Sequence, residues 1–176
     1  MISIVKAGAT DALAIANIGR ISVEIAHRDS CSATDMNDFL DRAYSTNAIK
    51  QELENQRYHY HMIYYQKGLA GFSKVVPNEE HPNIPEKNVM KLDRIYLLPE
   101  YFDKKLGAEL LKFNIGLAST MNQRGIWLFT WVGNERAVNF YRRFGFRVIG
   151  DHKFEVTKTH FNEHHQMYLT LPGKLK

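Results

Sequence analysis

The sequence lacks the features that mark secreted, disulfide-stabilised and membrane proteins. Its 176 residues contain one cysteine, Cys31, so it forms no internal disulfide and no multi-cysteine zinc or iron–sulfur site. Its longest apolar runs span only a few residues, well below the roughly 20 that a membrane helix needs. Residues 1–6 do not show the basic stretch and following apolar stretch of a secretory signal. These absences predict a cytoplasmic protein with no membrane association.

The composition is typical of a folded chain. Hydrophobic residues make up 44%, charged residues 24% and aromatic residues 12% of the sequence, and this aromatic content argues against disorder. Prolines number only five, and three of them fall in Pro77–Glu86, which we interpret as a loop. Because 176 residues are close to the length of one domain, we predict a single domain over residues 1–176.

The histidines near the end of the chain give no metal-binding pattern. His152, His160, His164 and His165 lie within a short stretch, but adjacent residues in an extended chain point to opposite faces. No cysteine or carboxylate completes a ligand set beside them. We therefore predict no metal site.

The charges are distributed unevenly along the chain. Residues 1–60 hold six basic and eight acidic side chains, and the remaining residues hold 17 basic and 11 acidic ones. The basic part suits a polyanion, either a cofactor or a nucleic acid, and the acidic part suits a cationic ligand. Charged side chains that only face solvent would give the same distribution of charge. The acidic residues that could face a cation are Glu24, Asp29, Asp35, Asp38 and Asp41.

Hydrophobic periodicity predicts a mixed α/β fold, with an α+β mixed sheet and helices on its faces. The first predicted helix begins at Thr10. The other predicted helices cover Asp35–Tyr44, Thr46–Gln56, Leu106–Met121 and Asn134–Phe144, and Thr10 and Thr46 are the expected N-caps. The predicted strands are Ile2–Val5, Tyr58–Tyr65, Leu69–Val76, Val89–Leu98, Ile126–Val132, Phe146–Ile149 and Gln166–Leu171, the last two separated by a polar segment.

The segment Pro99–Ala108 joins a strand to the start of a helix and is a candidate phosphate site. Backbone N–H groups at a helix N-terminus are unpaired and carry partial positive charge. Lys104 and Lys105 would add charge, and Gly107 would let a ligand approach the backbone. An ordinary basic loop has the same composition.

The segment Asn134–Phe146 is a capped helix followed by a strand. Asn134 is a good N-cap residue, and Gly145 suits the left-handed position after a helix. Tyr141 lies on the apolar side of this helix, where it is either a core residue or a residue of a site.

Together, and in this order, these two segments resemble the GNAT superfamily of acyl-CoA-dependent N-acetyltransferases. The second segment matches the family pattern Asn-x-x-Ala-x-x-Phe-Tyr-x-(Lys/Arg)-x-Gly-Phe at every fixed position. The first keeps only the last glycine, Gly107, of Arg/Gln-x-x-Gly-x-Gly/Ala, with Phe102 and Lys105 at the other fixed positions. A positive φ would strain Lys105 there. Within the superfamily, Asp93–Tyr96, Asn122–Trp131 and Asn134–Phe146 look most like the spermidine/spermine branch.

The resemblance implies a GNAT-like fold, in which a central, mostly antiparallel sheet is splayed between its fourth and fifth strands and flanked by helices. It implies acetyl-CoA as co-substrate, with the pantetheine along Ile95, Tyr96 and Leu97 and the pyrophosphate on the amides of Asp103–Ala108. Asp103 is expected to turn away from the phosphates as a helix cap. The residues implied at the cofactor are Ile95, Tyr96, Leu97, Phe102, Asp103, Lys104, Lys105, Leu106, Gly107, Ala108, Asn134, Ala137, Tyr141 and Arg143.

The resemblance also implies direct attack of an amine on the thioester. Tyr141 would donate a proton to the leaving thiolate, and a strand amide near Ile95 would stabilise the oxyanion. Asp93, expected on the face shared with Ile95 and Leu97, is the candidate base, and Glu24 and His27 are the alternatives.

We therefore predict acetyl transfer to a primary amine of a small molecule, such as spermidine or spermine. The alternatives are a peptide or protein amine as acceptor, an acyl-CoA-binding regulator without turnover and, third, a basic nucleic-acid-binding module. No nucleic-acid partner is expected, and a homodimer is left open.

Overall fold

Seven strands form one mixed sheet within residues 1–158 and 160–172, the part of the chain that the computed structural model describes. The strands are β1 (Ile2–Lys6), β2 (His59–Tyr65), β3 (Gly68–Val76), β4 (Val89–Leu97), β5 (Gly125–Trp131), β6 (Arg147–Thr157) and β7 (His160–Thr170). They are ordered β1-β2-β3-β4-β5-β7-β6, and β4 and β5 are the parallel neighbours. The mixed sheet predicted from the sequence is confirmed.

The parallel pairing of β4 with β5 is short. It joins Val89–Lys91 to Gly125–Trp127 and continues no further, although β4 runs on to Leu97 and β5 to Trp131. The two strands therefore diverge over their second halves, which confirms the predicted splay. No described helix is long and apolar enough to cross a membrane.

Five α-helices flank the sheet in the described residues: α1 (Ala12–Ala26), α2 (Ala33–Ala43), α3 (Thr46–Glu54), α4 (Leu106–Thr120) and α5 (Glu135–Arg143). Helices α1–α3 pack on one face, where Ile15, Leu40 and Ile49 meet Met62 and Phe72. Helix α4, together with Tyr141 of α5, packs on the other face. Each helix thereby buries one apolar side against the sheet.

Two of the predicted N-caps are wrong by one or two residues. Thr10 lies in a short 3₁₀ turn, Ala9–Asp11, that precedes α1, and the Asp11 carboxylate accepts a bond from the Gly8 amide at 2.8 Å. Ser45, not Thr46, caps α3, because its hydroxyl accepts from the Ala48 amide at 3.2 Å. The predicted cap Asn134 is confirmed, since its Oδ1 accepts from the Ala137 amide at 3.1 Å.

The last two strands are longer than predicted. The polar segment expected between Phe146–Ile149 and Gln166–Leu171 belongs to the β6–β7 hairpin. Because β6 is an edge strand with most of its residues exposed, it needs few apolar residues. The end of the hairpin contacts α2 and the connection between α1 and α2. Arg42 Nη2 donates to the Val156 carbonyl at 2.7 Å, and His160 Nε2 donates to the Ser30 carbonyl at 2.7 Å.

Strand β4 carries a β-bulge at Asp93. In its register with β3, Lys74 is opposite Arg94 and Val75 is opposite Leu92, so Asp93 has no partner. An extra residue in one strand shifts the alternation of the side chains. Beyond the bulge, Ile95 packs toward α4, and Tyr96 packs toward α1–α3.

Glycines 19 and 116 lie inside helices α1 and α4 and provide a matched pair of substitutions. A Cβ at Gly19 would lie 2.2 Å from the Tyr44 ring, whereas a Cβ at Gly116 would meet nothing within 4 Å. We expect Gly19→Ala to lower the free energy of unfolding by about 1–3 kcal/mol through overpacking. We expect Gly116→Ala to raise it by about 0.4–1 kcal/mol. Chemical denaturation measures both, and changes of the same sign would contradict the packing of α1 against Tyr44.

Candidate active site

A groove of about 1140 Å³ lies where β4 and β5 diverge. It is lined by β4 residues Lys91–Leu97, by β5 residues 129–131, and by side chains from both faces of the sheet. We call the part beside Phe102, Lys105 and α5 the α4 end. We call the part beside residues 22–31 and α2 the α1 end. The groove therefore passes through the sheet and connects its two faces.

The α4 end is built on the uncapped start of helix α4. Lys105 precedes the helix in the left-handed conformation, with φ 58°, and no side chain caps the helix. The first intrahelical bonds run from the Ala108 and Glu109 amides to the Lys105 carbonyl. The amides of Leu106 and Gly107 thus make no backbone bond within the described chain, and they are available to an anion.

The structure separates the loop residues that the sequence grouped together. Phe102, Lys105, Gly107 and Ala108 line the groove. Lys104 instead borders a separate depression beside Tyr65 and Tyr101, and the left-handed residue Lys105 stands between it and α4. Leu106 is fully buried in the core, so only its amide faces the helix end.

Asp103 does not act as the expected cap. It is exposed and lies outside the groove, and α4 has no side-chain cap. A cation that the sequence reasoning missed lies nearby. The Arg136 guanidinium sits 4.1 Å from the centre of the Phe102 ring, and both residues line the groove. The arginine at the second variable position of Asn-x-x-Ala was the available signal.

The middle of the groove holds the predicted strand and helix residues. Ile95, Tyr96 and Leu97 line it from β4, and they face Asn134 and Ala137, with Tyr141 and Arg143 on the same helix. The Leu97 carbonyl accepts a bond from Ser22 Oγ at 3.2 Å. Asn134 uses its Oδ1 as the helix cap, which leaves its amide N–H groups to a ligand.

Tyr141 is nearly buried and still lines the groove. It is 7% exposed and packs against Phe140 and Phe146. Burial, and then the neighbouring Tyr96, raise the pKa of Tyr141 well above its ordinary value. The phenol therefore keeps its proton throughout the neutral range, so it can donate but does not act as a base.

A cluster of paired charges lies beside β4 on the α1–α3 side of the sheet. Asp93 contacts Lys74 Nζ at 3.0 Å and Lys91 Nζ at 2.7 Å. Glu52 of α3 contacts Lys74 Nζ at 2.9 Å and Arg94 Nη1 at 3.0 Å. Tyr60 donates its hydroxyl hydrogen to Glu52. Lys74 is buried, and a buried ammonium is stable only when it is paired in this way.

The cluster fixes the charge of Asp93. Burial acts to raise the pKa of Asp93, but Lys74, Lys91 and Arg94 outweigh it and hold the pKa well below the usual range. Its predicted orientation is wrong. The β-bulge turns Asp93 toward Lys74 and Arg94 on the α1–α3 side, whereas Ile95 and Leu97 pack on the α4 side. A lone lysine in the apolar run Leu69–Val76 was the signal for this cluster.

The α1 end is rich in aromatic rings and poor in unpaired acids. Of the five acidic residues considered for a cation, Asp29 lines the groove. Glu24 and Asp38 are exposed elsewhere, Asp35 bonds to Ser32 at the start of α2, and Asp41 pairs with Arg20. The prediction that these five residues face a cation together is therefore wrong, because most of their carboxylates are exposed to solvent or bond to residues of the helices.

His27 lines the α1 end of the groove. Burial, and then the neighbouring His164, lower the pKa of His27 to about 4, so its imidazole is neutral at physiological pH. The described residues contain no group of three or more His, Cys, Asp or Glu side chains placed to hold a metal ion.

Comparison with known proteins agrees with this geometry. The Acetyltransferase (GNAT) family matches residues 24–146. The spermine/spermidine N(1)-acetyltransferase of Bacillus subtilis is 30% identical over 102 residues, covering 57% of this chain and 67% of that protein. An uncharacterized N-acetyltransferase of Lactobacillus delbrueckii is 24% identical over 123 residues, covering 70% of this chain and 71% of that one. The PaiA N-acetyltransferase of Thermoplasma acidophilum, solved with coenzyme A, has TM-score 0.77 and 21% identity over 97% of this chain and 99% of that chain.

Substitutions at Lys105 separate its charge from its backbone. Lys105→Ala and Lys105→Gly remove the same ammonium, but only glycine adopts a left-handed conformation at little cost. We expect the glycine variant to have a free energy of unfolding about 1 kcal/mol higher than the alanine variant. We expect both variants to weaken the binding of acetyl-CoA roughly 3- to 10-fold. We expect a smaller loss of affinity for a pantetheine thioester that carries no phosphates. Chemical denaturation and calorimetry measure these effects.

Lys104→Ala is the matched control for these variants, since Lys104 lies outside the groove. It should leave the affinities for both ligands unchanged. Equal weakening of the two ligands by the Lys105 variants, or a loss with Lys104→Ala as large as theirs, would contradict a phosphate site at the start of α4.

Proposed function

Because the chain belongs to the GNAT family of acyl-CoA-dependent N-acetyltransferases and uses acetyl-CoA as co-substrate, we propose that its acceptor is the primary amine of a polyamine such as spermidine or spermine. The observation that carries the proposal is the groove through the sheet, because it gives two substrates separate entrances and one meeting point. One entrance is the basic α4 end and the other is the ring-lined α1 end.

The α4 end suits the phosphates of acetyl-CoA. It offers the unpaired amides of Leu106 and Gly107, and the cations Lys105, Arg136 and Arg143 line the same end of the groove. We propose that the pantetheine lies along Ile95–Leu97, where β4 has lost β5 as a partner, and adds to β4 through backbone hydrogen bonds. The free amide hydrogens of Asn134 would bind its other side.

The proposed reaction is one transfer step. The amine nitrogen attacks the thioester carbonyl and forms the C–N bond, the C–S bond breaks, and the sulfur leaves as a thiolate. A β4 amide near Ile95 would stabilise the oxyanion. Tyr141 would donate its proton to the thiolate. The raised pKa of its phenol keeps that proton in place until the thiolate forms. The products are the N-acetylamine and CoA.

The amine must lose a proton before or during the attack. Asp93 is a weak candidate for this role, because three cations stabilise its charged form. The lowered pKa of His27 makes it a weak base too, but we favour it among the alternatives because its imidazole lines the groove and forms no ion pair in the described residues. It would take the proton directly or through water. Glu24 is exposed outside the groove.

The polyamine is supported by the 30% identical Bacillus subtilis relative and by Asp29 at the α1 end. A peptide or protein amine is the alternative acceptor. A single carboxylate attracts a cationic amine more weakly at long range than the five acidic residues expected from the sequence would. We therefore expect a modest salt dependence of the polyamine KM, since one exposed ion pair contributes under about 1 kcal/mol.

Tyr141→Phe tests the general acid. We expect kcat to fall roughly 10²-fold with little change in the KM for acetyl-CoA, because the hydroxyl acts only on the leaving group. Steady-state thioester cleavage measures both constants, and Tyr65→Phe, at the end of β2 and outside the groove, is the matched control. An unchanged kcat would mean that the thiolate leaves without protonation by Tyr141.

Asp29→Asn tests the acceptor. We expect the KM for spermidine to rise roughly 2- to 5-fold, with kcat and the KM for acetyl-CoA unchanged. Asp38→Asn on α2 is the control, because Asp38 lies outside the groove. Turnover of an N-terminal peptide amine without turnover of spermidine or spermine would reject the polyamine and favour the peptide alternative.

A further inference from the structure

A continuous arc of rings borders the α1 end of the groove. The arc consists of Trp131, His27, His164, Phe154, Phe39 and Tyr44, all of which line the groove. The centres of successive rings are 5.4, 6.2, 5.1, 5.8 and 6.1 Å apart. Tyr44 then meets Tyr96 of β4 at 6.2 Å. The arc therefore runs from the end of β5 around to β4 and encloses the opening between the splayed strands.

The arc is assembled from distant parts of the chain. Trp131 ends β5, His27 follows α1, Phe39 lies in α2, and Phe154 and His164 come from the β6–β7 hairpin. The hairpin is fastened to the α1–α2 half by the bond from Arg42 to the Val156 carbonyl. The pairing of β5 with β7 places Trp131 beside His164, and the contact between α2 and the hairpin brings Phe39 beside Phe154.

Charges of both signs surround the arc. Arg28 lines the α1 end of the groove, and the Arg94 guanidinium already lies 4.7 Å from the centre of the Tyr44 ring. Burial lowers the pKa of His164, as it does for His27, so neither imidazole repels a cation near neutral pH. Asp29 lies at this end of the groove, and Asp93 is already paired with Lys74, Lys91 and Arg94. Because Arg28 offsets Asp29 and Arg94 covers Tyr44, attraction for an ammonium group must come largely from the electron-rich faces of the other rings.

We propose that the arc is the acceptor-binding surface, and that it holds the hydrocarbon chain and the non-reacting ammonium group of a polyamine by ring contacts rather than by a row of carboxylates. The identity of the acceptor rests on the proposed function, whereas the location of the surface rests on the groove and the arc. A linear alkyl chain bearing a second ammonium would gain from rings along its whole length. A monoamine would keep only the alkyl contacts.

Trp131→Leu and Phe154→Leu test the arc from its two sides. We expect each to raise the KM for spermidine roughly 3- to 30-fold, the range that loss of a cation–π contact gives. The KM for n-butylamine, which has no second ammonium, should rise less. The KM for acetyl-CoA and the thermal unfolding midpoint report whether the fold and the α4 end are intact. Steady-state kinetics with both amines measure the effects.

Phe161→Leu is the matched control. Phe161 lies on the same hairpin but is 50% exposed and outside the groove, so all constants should stay as in the wild type. An unchanged KM for spermidine in both arc variants, or an equal rise with Phe161→Leu, would overturn the proposal.

Phenethylamine separates this proposal from the proposed function. If the wild type acetylates phenethylamine and no polyamine, and the arc variants raise the KM for phenethylamine, the polyamine function is rejected and the arc stands as the acceptor surface. If spermidine is acetylated and its KM is the same in the wild type and the arc variants, the polyamine function stands and the arc is rejected as the acceptor surface.

Discussion

The early end of the pairing between β4 and β5 is the constraint on which the rest of the site depends. Three residues of each strand pair, and the remaining residues of β4 face a gap on that side. Backbone groups in such a position need another partner, and the gap is therefore a place where an amide-bearing ligand can complete the sheet. The same gap joins the two faces of the sheet, so two ligands can meet in it from opposite sides.

The charge cluster holds β4 in the shape that this arrangement requires. The bulge at Asp93 falls only two residues after the pairing with β5 ends at Lys91. Glu52 ties α3 to Lys74 and Arg94, and Asp93 is bound on both sides by cations. Buried charges of this kind are costly unless every partner is present, so the cluster favours one conformation of the bulge. That conformation directs Ile95 and Tyr96 to opposite faces of the sheet.

The element order and the capped helix α5 could be predicted from the sequence, because periodicity and Asn134 are local signals. The splay was implied only by the resemblance of the motif around Tyr141 to a known family. The bulge could not be predicted, since it depends on the register between β3 and β4, and so the expected direction of Asp93 was wrong. Lys104 and Lys105 are adjacent and chemically alike, and only the left-handed backbone at Lys105 separates them. The β6–β7 hairpin was underestimated because an exposed edge strand carries no strong apolar pattern.

The two hydrogen bonds that hold the β6–β7 hairpin against α2 and the α1–α2 connection affect the order in which the chain can fold. The bond from Arg42 to Val156 joins residues 114 positions apart, and the bond from His160 to Ser30 joins residues 130 positions apart. Contacts between such distant parts of a chain carry a large loop-closure entropy and form late. The α4 end is built from residues 95–143 and does not depend on these bonds. Folding can therefore complete the α4 end of the groove first, and a brief detachment of the hairpin would uncover the α1 end alone.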